Sequence, residues 1–196
     1  SEHTVASIGE LISIENDGEN KIFNWVHNIP CATYLYTFAV DNYLPVEITG
    51  SHHPIVVYSR ASDTSACRFI FSKVPDMLNA FGSRFGDYPF EKVGYVLTSK
   101  GAMEHQTMIS FPTSLEKSYY SSRDTINLIA AHELSHQWFG DLVTCLDFRD
   151  AWLNEGFATF CEAIWYEYLF DYEKYLEHIL KNVKDYFSTA KSEGVF

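Results

Sequence analysis

The stretch His132-Glu133-Leu134-Ser135-His136-Gln137-Trp138-Phe139-Gly140 closes a segment, from about Arg123 to Phe139, whose apolar positions recur at helical spacing. Ser122 or Asp124 can cap such a helix at its start, and Gly140 can end it. Residues four apart on a helix are separated by about 6 Å of rise and share a face, so the imidazoles of His132 and His136 can grip one metal ion. Glu133 stands beside the first of them. Its carboxylate can hydrogen-bond a metal-bound water and act as general base rather than as ligand.

A third ligand lies further on. Trp152-Leu153-Asn154-Glu155-Gly156 opens another helical pattern, and the 18 residues between His136 and Glu155 are enough to bring that helix back against the first. Glu155 then completes a His, His, Glu set with one position open, as a catalytic zinc requires. Glu162, two turns after Glu155 on the same face, and Asp141 are candidates to hold the imidazoles by their free nitrogens; each reads equally as a solvated acid.

Outward from this centre the chain has two textures. Residues 1 to about 60 are rich in Val, Ile, Thr, Tyr and Phe, broken by turn signals such as Asn16-Asp17-Gly18 and Thr49-Gly50-Ser51. Strands are expected near 4–15, 21–27, 32–40, 43–48 and 54–59, with no helix between them, as in an antiparallel sheet. Beyond Asp63 the period lengthens: Phe69, Val74, Met77, Leu78, Phe81 and Phe85 fall at helical spacings, closed by Gly86, and Pro75 kinks or divides that helix. A strand at Val93–Thr98, an extended segment over 101–111, a short strand over Leu142–Phe148 and helices near 151–169 and 171–188 complete an α+β chain whose halves meet near residues 58–64.

Composition narrows the partners. With 196 residues, 46% of them hydrophobic, the chain can bury a core, and its net charge of -12 argues against nucleic acid or an anionic membrane as partner. Ligands bearing an amine stay open. No run approaches the roughly 18 apolar residues of a membrane span. The four cysteines, Cys31, Cys67, Cys145 and Cys161, form no CxxC pair and read as buried free thiols. The opening SEHTVASIGE has neither an initiator Met nor a signal-peptide pattern, so the chain is expected to begin partway into a longer protein.

Gly101-Ala102-Met103-Glu104-His105, read alone, is a Gly-led extended segment with an exposed acid. Taken with HELSHQWFGDLVT at 132–144 and WLNEGFATF at 152–160, it resembles the aminopeptidase N family of zinc metallopeptidases, which also contains leukotriene hydrolase. The resemblance implies one Zn2+ held by His132, His136 and Glu155, with Glu133 as general base. It implies that Glu104 binds the free amino terminus of a peptide substrate, while Gly101, Ala102 and Met103 line the bound chain. The implied reaction removes N-terminal residues by attack of a zinc-bound water. Residues 1–60 would be the last strands of an antiparallel β-domain and 61–196 the first, zinc-bearing part of a thermolysin-like catalytic domain. The remaining domains of the parent protein would then be partners of this chain.

One position departs from the family: its usual Asn after the amine-binding Glu is His105 here, a group able to gain a proton near pH 6 to 7. The family's oxyanion tyrosine is expected beyond Phe196; Tyr166, Tyr168, Tyr172, Tyr175 and Tyr186 sit in helical patterns and read as packing residues. The chain by itself should therefore be weakly active or inactive. A thermolysin-type endopeptidase shares the His, His, Glu pattern but lacks the amine anchor, and a zinc-stabilised binding module without catalysis is the alternative from another class.

Overall fold

The structure, a computed structural model, describes residues 2–194. Its first layer consists of two antiparallel pairs. Strand β1 (Thr4–Ser7) lies beside β4 (Phe38–Asp41), and β2 (Glu10–Asp17) turns through Gly18, at φ 60°, into β3 (Asn20–Val26). The strand expected over 4–15 is broken at Gly9, whose φ of 75° and tight fit against the Val26 carbonyl exclude a side chain. The strand expected over 32–40 begins instead as a 3-10 turn, Thr33–Leu35.

The second layer is a four-stranded sheet in the order β5 (Tyr43–Glu47), β6 (Ile55–Arg60), β7 (Val93–Thr98), β8 (Ile109–Pro112). The β5–β6 pair is antiparallel, and the two pairs that follow are parallel. A parallel step needs a crossover, and residues 61–92, helical as far as Phe85, supply it between β6 and β7. The expected division at residue 60 therefore cuts through one hydrogen-bonded sheet, and strand pairing breaks earlier, between β4 and β5. Strand β7 is buried along nearly its whole length, as befits a parallel strand covered on both faces.

Pro75 does divide its helix. Helix α1 (Thr64–Ile70) passes through a 3-10 turn at Phe71–Lys73 into α2 (Val74–Phe85), with Pro75 in the first turn, where its missing N–H is not needed. Gly86, at φ 94°, ends α2 and returns its N–H to the Gly82 carbonyl. The core beneath the sheet joins Ile70, Phe71, Met77 and Phe81 to Tyr95, Phe111, Trp138 and Trp165.

The helix expected from Arg123 begins later. Helix α3 (Thr113–Ser122), unexpected from its polar sequence, ends at Arg123 in the left-handed region (φ 57°), and Asn127 (φ 47°) marks a second break. Helix α4 (Leu128–Ser135) starts only there, capped by the Asn127 side chain, which accepts from the Ala130 N–H. Asp124 instead accepts from the Ile126 N–H in the intervening turn. Residues 142–148 form no strand: a single bridge links Phe139 to Val143, and exposed Leu142, Val143, Leu146 and Phe148 lead to a 3-10 turn at Phe148–Asp150. Helices α5 (Trp152–Leu169) and α6 (Tyr172–Glu193) follow as expected, α6 capped by Asp171. All four cysteines are free, but only Cys67 and Cys161 are buried; Cys31 and Cys145 are half-buried. Among the described residues no helix is long and apolar enough to cross a membrane.

Candidate metal centre

Helix α4 ends on the residues that matter. His132 is in its last turn and His136 is its C-terminal cap, the His136 N–H reaching back to the His132 carbonyl. The His136 Nδ1–H donates to the Phe139 carbonyl at 3.0 Å, and the His132 Nδ1–H donates to Glu162 Oε1 at 2.9 Å. Both acceptors fix the tautomers, leaving lone pairs on the two Nε2 atoms.

Those atoms converge. His132 Nε2 and His136 Nε2 are 3.2 Å apart, and Glu155 Oε2, from the first turn of α5, lies 3.3 Å from one and 3.5 Å from the other. Tetrahedral zinc with bonds of about 2.0–2.1 Å spaces its ligands at about 3.3–3.4 Å, so the donor set fits that ion in both chemistry and spacing. Charge agrees. Burial opposes a positive charge on His132, but its hydrogen bonds to Glu155 and Glu162, with Glu133 nearby, carry its pKa up to about 10. Hydrogen bonds to the two imidazoles hold Glu155 well below the usual carboxylate range. The three groups together favour a positive charge between them.

Two further acids close in on the same imidazole. Glu104 and Glu133, both buried, offer oxygens within 4.8 Å of each other and of a His136 ring nitrogen. Burial, reinforced by Glu104 and Glu155 and opposed by the histidines, raises the Glu133 carboxyl to about 7. Glu104 follows Met103, whose N–H and C=O pair with Ser110 at 3.1 and 2.9 Å, so the 101–104 segment runs along the β8 end of the sheet. Ala102 is half-buried; Gly101 is exposed, and a methyl group there would meet nothing within 4 Å. His105 Nδ1 lies 3.1 Å from Ser110 Oγ, and burial lowers its pKa from the ordinary histidine value.

The two acids proposed to steady the imidazoles part company. Glu162 does so. Asp141 reaches neither ring: its Oδ2 accepts from Gln137 Nε2 at 2.7 Å, and its buried Oδ1 has no partner.

Gln137, fully buried, is the connection that sequence reasoning misses. Its Oε1 accepts from the Thr107 N–H (2.9 Å) and the Tyr88 hydroxyl (3.1 Å), while Nε2 also donates to the Glu104 carbonyl (3.0 Å). It thereby fastens the Glu104 segment to the end of α4. Buried Asn154 does the same for the loop before α5, accepting from the Cys145 N–H and lying 3.2 Å from the Tyr34 hydroxyl. No pattern in a single sequence marks either amide, because their partners lie up to 120 residues away.

Two imidazoles and a carboxylate on adjoining helices, with a buried acid beside them, define a candidate mononuclear zinc hydrolase centre. The profile of the Peptidase family M1 domain matches residues 69–194, and the chain belongs to that family. It is 30% identical over 171 residues to aminopeptidase 2 of Candida albicans, covering 83% of this chain and 18% of that protein. It is 32% identical over 147 residues to glutamyl aminopeptidase of Homo sapiens, covering 70% of this chain and 15% of that protein. The chain thus spans less than a fifth of the length of these two relatives. An M1 zinc metallopeptidase from Deinococcus radiodurans superposes with a TM-score of 0.73 at 25% identity, over 87% of this chain and 39% of that one. A mutant of it bound to a Tyr-Ser-Ala substrate gives 0.75 at 25% identity, with the same coverage. Zinc is the metal named for the Deinococcus radiodurans relative.

Proposed function

We propose that the chain carries the metal-binding and amine-recognising part of a zinc aminopeptidase centre. His132, His136 and Glu155 hold zinc, Glu133 is the general base, and Glu104, with Gly101, Ala102 and Met103 along its edge, receives the free amino terminus of a peptide. The observation that carries this reading is the convergence of the three ligand atoms at 3.2–3.5 Å with Glu104 and Glu133 buried beside them. The tripeptide substrate of the Deinococcus radiodurans relative supports peptides as the substrate class.

Zinc at this place supplies polarisation of the scissile carbonyl and acidification of water toward neutral pH. The chain's residues do the rest. A Glu133 oxygen takes the proton from the attacking water and returns it to the leaving amine, a shuttle favoured by a carboxyl whose burial makes it hold protons near neutrality. Glu104 pairs with the substrate ammonium and so measures off one residue. Main-chain groups of Gly101 and Ala102 align the peptide as an added strand, on a segment anchored by the Met103–Ser110 pairing. Strands β1–β4 are read as the end of a β-rich unit that precedes this centre.

Turnover by the 196-residue chain alone is expected to be weak. Tyr166, Tyr168, Tyr172, Tyr175 and Tyr186 all pack their rings on aromatic neighbours, and loss of an oxyanion donor lowers kcat by about 10²–10³. The test is metal content and hydrolysis together. One zinc per chain is expected for the wild type and for Glu133→Gln, with loss in His136→Ala. In the complete protein Glu133→Gln should abolish cleavage of peptides with a free amino terminus; persistent cleavage would remove Glu133 from the mechanism, and cleavage of amino-blocked peptides would favour an endopeptidase.

A further inference from the structure

His178 lies outside the ligand set yet is joined to it. Glu162 Oε1 accepts from His132 Nδ1 at 2.9 Å, and its other oxygen, Oε2, lies 3.1 Å from His178 Nε2. His178 is on the second turn of α6, only 9% exposed, with the Tyr166 ring tilted against it at a centroid distance of 4.9 Å. One hydrogen bond from His132 leaves the Glu162 carboxylate free to swing about that contact. A second donor on the opposite oxygen fixes its plane, and with it the direction of the His132 ring.

We propose that His178 is a positioning residue for the metal centre, donating its Nε2–H to Glu162 so that the carboxylate holds His132 with Nε2 toward the ion. Helix α6, which contributes no ligand, is thereby part of the site. The proposal rests on the metal-centre reading above and adds to it a third histidine at one remove. Groups that orient metal ligands carry about 10–100-fold of metal affinity, and a residue acting through Glu162 belongs at the low end of that range.

The test is zinc affinity of the 196-residue chain by chelator competition, with the visible spectrum of the cobalt-substituted protein as a second readout. His178→Ala and His178→Phe should each bind zinc about tenfold more weakly and shift the cobalt bands; Phe keeps a ring against Tyr166 but has no donor. His178→Gln, whose amide nitrogen can stand near the Nε2 position, should return affinity to within about twofold of wild type and restore the bands. In a Glu162→Gln background His178→Phe should add no further loss, since the two act through one hydrogen bond. Wild-type affinity in His178→Phe, failure of Gln to rescue, or full additivity with Glu162→Gln would each overturn the proposal. If the wild-type chain itself takes up no zinc, the metal-centre reading falls and takes this one with it; uptake that ignores His178 sinks this one alone.

Discussion

Glu116, in the first turn of α3, is 1% exposed, and its Oε2 has no hydrogen-bond partner. Burial, aided by Asp63 and opposed by Lys117, pushes its carboxyl up to about 6 from an ordinary 4.5. The folded chain therefore holds this proton more tightly than the unfolded chain does. The resulting stabilisation is complete below about pH 4.5 and is lost as pH rises through about 6, a difference of roughly 2 kcal/mol. Glu116→Gln removes the charge and keeps the shape. It should be more stable than wild type by about 1–2 kcal/mol at pH 7.5 and indistinguishable from it at pH 4.5, as measured by urea unfolding at both pH values. An equal difference at the two would mean that the carboxylate is paid no electrostatic penalty in the fold. In the sequence, TSLEKSYYSS surrounds Glu116 with polar residues, and nothing there distinguishes a buried acid from a solvated one.

At the scale of elements, α4 is the one on which the site depends, and its start is set by a single residue. Asn127 is fully buried in the left-handed region, accepts from the Ala130 N–H and donates to the Ile70 carbonyl. Asn127→Ala loses the cap, strains the backbone and loses the hydrogen bond to the Ile70 carbonyl, each costing about 1 kcal/mol. Thermal or urea unfolding should show a loss of about 2–3 kcal/mol, and Asn127→Gly, which tolerates the backbone, should lose less. The same residue explains what could be read in advance. Periodicity and the HELSH spacing reveal that a helix carries both histidines, and Pro75 and Gly86 reveal how the earlier helix divides and stops, because those signals are local. The left-handed Arg123 and Asn127 are not visible in hydrophobic pattern, so α4 is read five residues too long at its start, from Arg123 instead of Leu128. The 142–148 segment shows why pattern alone misleads in the other direction: its apolar residues suit a strand, but beyond the single Phe139–Val143 bridge no strand pairs with it among the described residues. Glu162 is legible from its place on the Glu155 face of α5, whereas Gln137, Asn154 and His178 are not, since each acts through contacts made only by the fold.

Across the whole molecule the site is a junction. Glu104 is fastened to α4 by Gln137, and the adjoining Thr107 hydroxyl accepts from the Gly9 N–H at 2.8 Å and from Lys92, whose ammonium also binds the Ser7 and Gly9 carbonyls and faces the Trp25 ring. The first β layer is thus tied to the Glu104 segment, and α4 to α5 through the converging atoms of His132, His136 and Glu155. A metal that binds only this folded arrangement must stabilise it, by RT ln(1 + [L]/Kd), or about 2.7 kcal/mol when free zinc is a hundred times Kd. For a chain of this size that corresponds to a rise in Tm of about 5–10 °C. Calorimetry of chelator-treated protein, titrated with zinc, should show Tm climbing with the logarithm of free zinc in the wild type. Glu133→Gln should climb in the same way, because Glu133 is assigned no ligand role. His136→Ala should stay flat, since it removes the ring that both Glu155 and His132 face. A rise of equal size in His136→Ala would place the stabilising ion elsewhere, and no rise in the wild type would show that α4 and α5 meet without needing a metal between them.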